Sequence, residues 1–231
     1  MSDPRTRRGF LAATVGLSAG LLACQKIGAT EPDESGEDVS PAEDLMREHG
    51  VLKRVILIYR EAIRRLEGRE ELPLDELQSA AGIIRTFIED YHEKLEEDYL
   101  FPRFEKAGKL ADLAGVLRTQ HQAGRRLTDV TKRLATISAI RLPADRGRLV
   151  TSLRDFIRMY EPHEAREDTV LFPTLRSIVS ENEYDSLGEE FEKKEQQLFG
   201  KGGFEKMVDK VAGIEKNLGI YDLARFTPTT S

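Results

Sequence analysis

The segment His92-Glu93-Lys94-Leu95-Glu96-Glu97-Asp98-Tyr99-Leu100-Phe101-Pro102 recurs without a gap as His163-Glu164-Ala165-Arg166-Glu167-Asp168-Thr169-Val170-Leu171-Phe172-Pro173. Both copies read His-Glu-x-x-Glu, an acidic residue, two variable positions, then Leu-Phe-Pro. Residues four apart lie nearly above one another on a helix, so each copy sets an imidazole and a carboxylate on one face. That is a ligand pair for a transition metal. The chain has only 4 histidines, and the other two, His49 and His121, each precede one copy. The pattern constrains the chain to helices that alternate a lone histidine with a His/Glu pair.

Residues 1–23 read as a targeting segment and stand apart from the fold. Thr6-Arg7-Arg8-Gly9-Phe10-Leu11 resembles a twin-arginine export signal, and the small and apolar run from Ala12 to Ala23 is too short for an ordinary membrane span. Leu21-Leu22-Ala23-Cys24 resembles a lipobox, with Leu22 departing from the usual small residue before Ala23. It marks Cys24 as the lipidation site of an exported protein, anchored in the periplasm or cell envelope. Cys24 is the only cysteine, so no intrachain disulfide can form. Residues 24–39 are rich in Glu, Asp, Gly and Ser and read as a flexible tether. Removing residues 1–23 leaves 32 basic against 40 acidic residues, a net charge of −8. That field disfavours nucleic acid as a partner.

Ser40-Pro41-Ala42-Glu43 gives a helix start, with a capping Ser, Pro in the first turn and Glu three residues after the cap. The first helix is expected to run to Glu67, with Leu45, His49, Leu52, Ile56 and Ile63 as its inner stripe. The second starts near Pro73 and turns Leu77, Ala81, Ile84, Ile88, His92 and Leu95 inward. It is expected to end before Leu-Phe-Pro, because the residue before a proline resists helical geometry. The third is expected from Lys109 to Ile137, with Leu113, Leu117, His121, Gly124 and Thr128 on one face. The fourth begins near Pro143 and shows Leu149, Leu153, Phe156, Tyr160, His163, Glu167 and Val170. Pro162, inside it, is expected to cost the hydrogen bond to the Arg158 carbonyl and to kink the helix.

Short connections favour antiparallel neighbours, so residues 41–176 predict an all-α, up-down-up-down four-helix bundle. The starts of the first and third helices then share a layer with the ends of the second and fourth, where all four imidazoles converge. Residues 177–231 predict a C-terminal helical extension, with a capped helix from Ser180 to Leu198, a break at residues 200–203 and a last helix over 204–218.

Imidazole and carboxylate ligands without thiolate suit iron, manganese or zinc. Four imidazoles and two carboxylates exceed the needs of one tetrahedral zinc and fit two octahedral ions bridged by carboxylates and oxygen. Non-haem iron comes first, with manganese or zinc behind it. Glu97, Asp98 and Asp168 read as solvated acidic residues. His49, His92 with Glu96, His121, and His163 with Glu167 resemble the ligand pattern of the hemerythrin-like, or HHE cation-binding, family, and the Leu-Phe-Pro endings are typical of it. The resemblance implies two non-haem iron ions of the Fe–O–Fe type, with Glu96 and Glu167 bridging both. It also implies Glu93 as a further ligand, as in family members with His-Glu-x-x-Glu on the second helix; Glu164 is the matching residue on the fourth.

Two departures weigh against reversible oxygen carriage. Arg125 stands where oxygen carriers place a second histidine one turn after His121; it is expected to face solvent, and turned inward it would pair with a ligand carboxylate or a bound anion. The last helix carries His-x-x-x-Glu where carriers have His-x-x-x-x-Asp. The function expected is that of an exported di-iron protein that binds or senses a small diatomic or peroxide: oxygen, nitric oxide or hydrogen peroxide. Three alternatives use the same residues: an oxidoreductase acting on peroxide or nitric oxide at an open iron position, iron handling or storage, and a bundle stapled by structural metal. Tyr91, Tyr99 and Tyr160 lie near the ligand faces, placed for packing or for redox chemistry.

Overall fold

The computed structural model describes residues 39–228. The twin-arginine-like leader, Cys24 and nearly all of the tether lie outside the described residues. Among those described the chain is helical throughout, with no strand, and no helix is long and apolar enough to cross a membrane.

Helix α1 (Pro41–Gly68) opens on the capping box: Glu43 N–H donates to Ser40 Oγ, and the Glu43 carboxylate accepts from the Ser40 backbone. Its apolar stripe is buried as the period requires, with Leu45 and Leu52 at 1% exposure or less. A second long helical run, α2, spans residues 74–107 in consecutive segments, Leu74–Ile83, Ile84–His92, Glu93–Leu95, Glu96–Leu100 and Phe101–Ala107. Helix α3 (Ala111–Leu134) is followed by the short α4 (Ile137–Arg141). Helix α5 spans residues 143–175: Pro143–Arg166, then Glu167–Leu171 and Phe172–Leu175. Helices α6 (Glu181–Phe199) and α7 (Gly203–Leu218) follow, and a 3-10 turn (Leu223–Phe226) comes last among the described residues.

The expectation that α2 stops before Leu-Phe-Pro is wrong. The turn Glu96–Leu100 is π-helical, and the Phe101 N–H reaches back to the Glu96 carbonyl. One extra residue is absorbed there, so Pro102 falls in the first turn of a restarted α-helix, where its missing N–H costs nothing. The second copy repeats the device: Glu167–Leu171 is π-helical, Phe172 N–H bonds to Glu167 O, and Pro173 again lies in a first turn. Single π turns inside α-helices concentrate at functional sites. Each begins at the motif's glutamate. Pro162 lies inside α5, which continues through it. The third helix ends at Leu134 rather than Ile137, because Thr136 turns extended and caps the short α4 through its side chain.

α3 packs along α5, and α5 along α1; α1 and α3 both meet the middle of α2. The buried apolar residues of these runs form one core. α7 lies against α1 and the start of α2, and α6 against α1 and α7. Arg54 clamps α7 to α1 through a bidentate pair with Glu215, closest at 2.6 Å, and Arg65 donates to the Leu218 carbonyl at 2.8 Å.

Candidate metal centre

His49 on α1 and His92 on α2 face each other with their Nε2 atoms 3.1 Å apart, and His121 on α3 faces His163 on α5 at 3.2 Å. All four rings are at most 4% exposed. Two glutamates tie these pairs together. Glu96 sets Oε1 3.8 Å from His92 Nε2 and Oε2 3.4 Å from His121 Nε2. Glu167 sets Oε1 3.1 Å from His163 Nε2 and Oε2 3.4 Å from His49 Nε2. Each carboxylate therefore offers one oxygen to each imidazole pair. Both are fully buried, and neither oxygen of either one has a hydrogen-bond donor.

The opposite edge of every ring is held. His49 Nδ1 lies 2.7 Å from Asp168, His92 Nδ1 2.6 Å from Glu48, His121 Nδ1 3.1 Å from Glu97, and His163 Nδ1 2.9 Å from the Gln120 side-chain oxygen. All four partners are acceptors, so each Nδ1 donates a proton to its partner and each Nε2 is the nitrogen left facing inward for a metal. This is the arrangement in which outer carboxylates fix the tautomer of metal-binding imidazoles. The Leu-Phe-Pro phenylalanines add a second support. Phe101 stacks on His121 and Phe172 on His49, each with ring centres 5.5 Å apart.

Four inward nitrogens and four carboxylate oxygens without hydrogen-bond donors, facing one another in a dry core, form a costly arrangement unless protons or metal ions bring positive charge among them. The titration behaviour carries the same tension. Burial, and then the charge of Glu167, holds the Glu96 carboxyl well above the usual range. At Glu167 burial is outweighed by His163 and His49, and the group stays well below it. Burial alone would lower His49, yet its bond to Asp168 and the nearby Glu167 carboxylate push it up to about 9. At His121 burial prevails over Glu97, and the ring falls to about 4. The donor set fits a pair of metal ions. His49, His92 and Glu96 form one group able to hold a cation, and His121, His163 and Glu167 the other.

Several residues sit differently from the expectation. Arg125 points inward rather than to solvent, because three carboxyl-bearing residues of α2 converge on it. It lies 2.8 Å from both Glu93 Oε2 and Glu97 Oε1, and donates to the Glu89 carbonyl at 3.1 Å. Glu97 and Asp168 are not solvated acids, since they orient His121 and His49. Arg125 and Lys94 clamp Glu97, and Lys53 lies 3.2 Å from Asp168. Glu93 accepts from Tyr160 Oη at 2.6 Å, pairs with Arg125, and forms with Glu97 and His121 a further buried group able to hold a cation. Glu164 is buried with one oxygen unpartnered. Tyr99 donates to Glu190 on α6 instead of approaching the centre. Gly124 lets Tyr160 in: a Cβ there would lie 2.0 Å from Tyr160 Oη.

Sequence reasoning missed Glu48, Gln120 and Lys53. Their signal was positional: Glu48 and Gln120 each immediately precede a lone histidine, and Lys53 and Arg125 each follow one by four.

A family model for the hemerythrin HHE cation binding domain matches residues 40–175. The chain is 52% identical over 221 residues to uncharacterized proteins of Mycobacterium tuberculosis and Mycobacterium bovis, covering 94% of this chain and 87% of theirs. No solved structure matches it.

Proposed function

The chain belongs to the hemerythrin HHE cation-binding family, and from that premise we propose that it is a non-haem di-iron protein that binds or senses a small diatomic or a peroxide. One observation carries the reading: Glu96 and Glu167 each reach both imidazole pairs. His49 and His92 would hold one ion and His121 and His163 the other, with Glu96 and Glu167 each offering an oxygen to both. A donor set of nitrogen and oxygen alone favours iron over thiolate-seeking metals. The helical runs carrying these ligands are read as an up-down-up-down four-helix bundle.

When bound, iron supplies open coordination positions and electrons for the small molecule. The protein's residues do the rest. Nδ1 partners hold the imidazoles in the metal-binding tautomer, and Phe101 and Phe172, buried and stacked on His121 and His49, exclude water from them. Arg125 occupies the position where oxygen carriers place a further histidine and holds carboxylates instead, so reversible carriage is not proposed. The oxidoreductase reading gains from one feature. Tyr160 donates to Glu93 at 2.6 Å, and its ring lies edge-on to His163 with centres 5.4 Å apart, which sets a phenol beside the centre.

Export and lipid anchoring at Cys24 belong to the same proposal and rest on the residues of the leader. Cys24→Ser is expected to release the protein from membrane fractions; persistent anchoring would contradict the lipid assignment. For the centre, anaerobically reduced protein is titrated with nitric oxide, oxygen and peroxide. An optical change saturating with protein concentration supports the proposal, and no response to any of them would overturn it. Steady-state consumption with an electron donor would then favour the enzyme over the binder.

A further inference from the structure

Glu93 and Glu97 stand one turn apart on α2, and His121 and Arg125 one turn apart on α3. Where the two helices face each other, oxygens of both glutamates and a ring nitrogen of His121 lie within 4.8 Å of one another. Glu93 is 1% exposed, Glu97 8% and His121 not at all. Two carboxylates at this spacing repel each other, and burial adds to the cost unless a positive charge joins them.

A cation already does so. The Arg125 guanidinium sets one terminal nitrogen 2.8 Å from Glu93 Oε2 and the other 2.8 Å from Glu97 Oε1. Glu97 Oε1 also accepts from His121 Nδ1 at 3.1 Å, so guanidinium and imidazole meet on one atom. The contact with Glu93 Oε2 is one of charge, since no donor is aligned on that oxygen. A bond to the Glu89 carbonyl at 3.1 Å holds the fork in place. The planar, permanently charged guanidinium suits a position between two carboxylates. The other half of the centre is built differently. Lys53 follows His49 by four residues as Arg125 follows His121, but it is 52% exposed and reaches Asp168, at 3.2 Å. Glu164, the counterpart of Glu93, keeps an oxygen without a partner.

We propose that Arg125 is a tethered cation, whose guanidinium takes the place of a metal ion among Glu93, Glu97 and His121 and keeps that group from loading. His121 faces two ways, with Nε2 toward His163 and Nδ1 on Glu97. A metal at Nδ1 would displace the proton that sets the tautomer, so excluding it preserves Nε2 as a ligand. That benefit rests on the dinuclear reading; the occupation of the group by Arg125 does not.

The test is a Zn²⁺ titration of metal-free full-length protein by equilibrium dialysis, with bound metal counted by elemental analysis. Zinc accepts mixed nitrogen and oxygen donors. Arg125→Gln is expected to bind about one ion more per chain than wild type. Arg125→Lys, which keeps the charge, should bind the wild-type number, and adding Glu97→Gln to Arg125→Gln should remove the extra ion. An arginine with a merely structural role would not raise the count when removed. An equal or lower count in Arg125→Gln would overturn the proposal, as would an extra ion that survives the second substitution. The result is a difference from wild type, so a wild type that binds no zinc counts against the dinuclear centre and leaves the comparison intact. If Arg125→Gln misfolds, nuclear magnetic resonance of the wild type decides. Separate Arg125 Nη signals, the mark of a guanidinium held against rotation, that persist at zinc saturation support the proposal. Their merging as zinc binds would overturn it.

Discussion

The imidazole pair His49/His92 and the pair His121/His163 are assembled from corresponding residues yet are not equally supported. Glu48-His49 corresponds to Gln120-His121, Glu96-Glu97 to Glu167-Asp168, Phe101 to Phe172, and Lys53 to Arg125. In the first pair both rings rest on carboxylates, Asp168 and Glu48. In the second, His121 rests on Glu97 but His163 rests on the neutral amide of Gln120. A carboxylate behind an imidazole raises its basicity more than an amide does. On the dinuclear reading proposed above, the repeat supplies two metal positions and the residues outside it make them unequal, the His121/His163 position being expected to be the weaker.

The sharpest way to break this picture is to remove what the halves share. Glu96→Ala or Glu167→Ala deletes a donor from both positions at once, so metal content should fall from about two per chain to well below one. Elemental analysis of the purified variant checks it, and an unchanged content would remove bridging. Removing a ring from one half should do less. His121→Ala is expected to lose about one ion and keep the other, which the same analysis reads; full retention would take α3 out of the centre.

Gly124→Ala probes a feature found on one side only. Helix propensity would gain about 1 kcal/mol. The new Cβ, however, would displace Tyr160 from Glu93, at about 1–3 kcal/mol for overpacking and a similar sum for the orphaned carboxylate. The net effect is a loss of stability, read in a denaturant titration of the metal-free protein. A more stable variant would mean that Tyr160 is not held there.

Gln120→Glu would restore the missing carboxylate. Under a chelator the wild type should release metal in two phases, the faster from the His121/His163 position. The substitution should slow that phase by about tenfold. Two identical rates in the wild type would erase the asymmetry.

The repeat made the ligands legible because their spacing is a property of one helix. His49, His92, Glu96, His121, His163 and Glu167 all lie on apolar stripes with helical period, and the structure brings them together. What supports them was not legible, since it joins different helices. Arg125 reads as a surface residue until α2 places Glu93 and Glu97 against it. Glu48 and Gln120 are ordinary polar neighbours of a histidine until the facing helix offers its Nδ1. The end of α2 was misplaced for a different reason. Hydrophobic periodicity does not report hydrogen-bond register, so the π turn that carries the helix past Pro102 left no trace. The capped start of α6 at Ser180 was visible; the bond by which Glu195 on that charged helix accepts from the Phe204 N–H was not.

The most direct test is to count iron per chain in protein purified without added metal, and to ask by Mössbauer and electron paramagnetic resonance spectroscopy whether the ions are coupled. Carboxylates spanning both imidazole pairs predict about two irons per chain, exchange-coupled and silent in the oxidised resonance spectrum. One ion per chain, or two that behave independently, would contradict the centre described above.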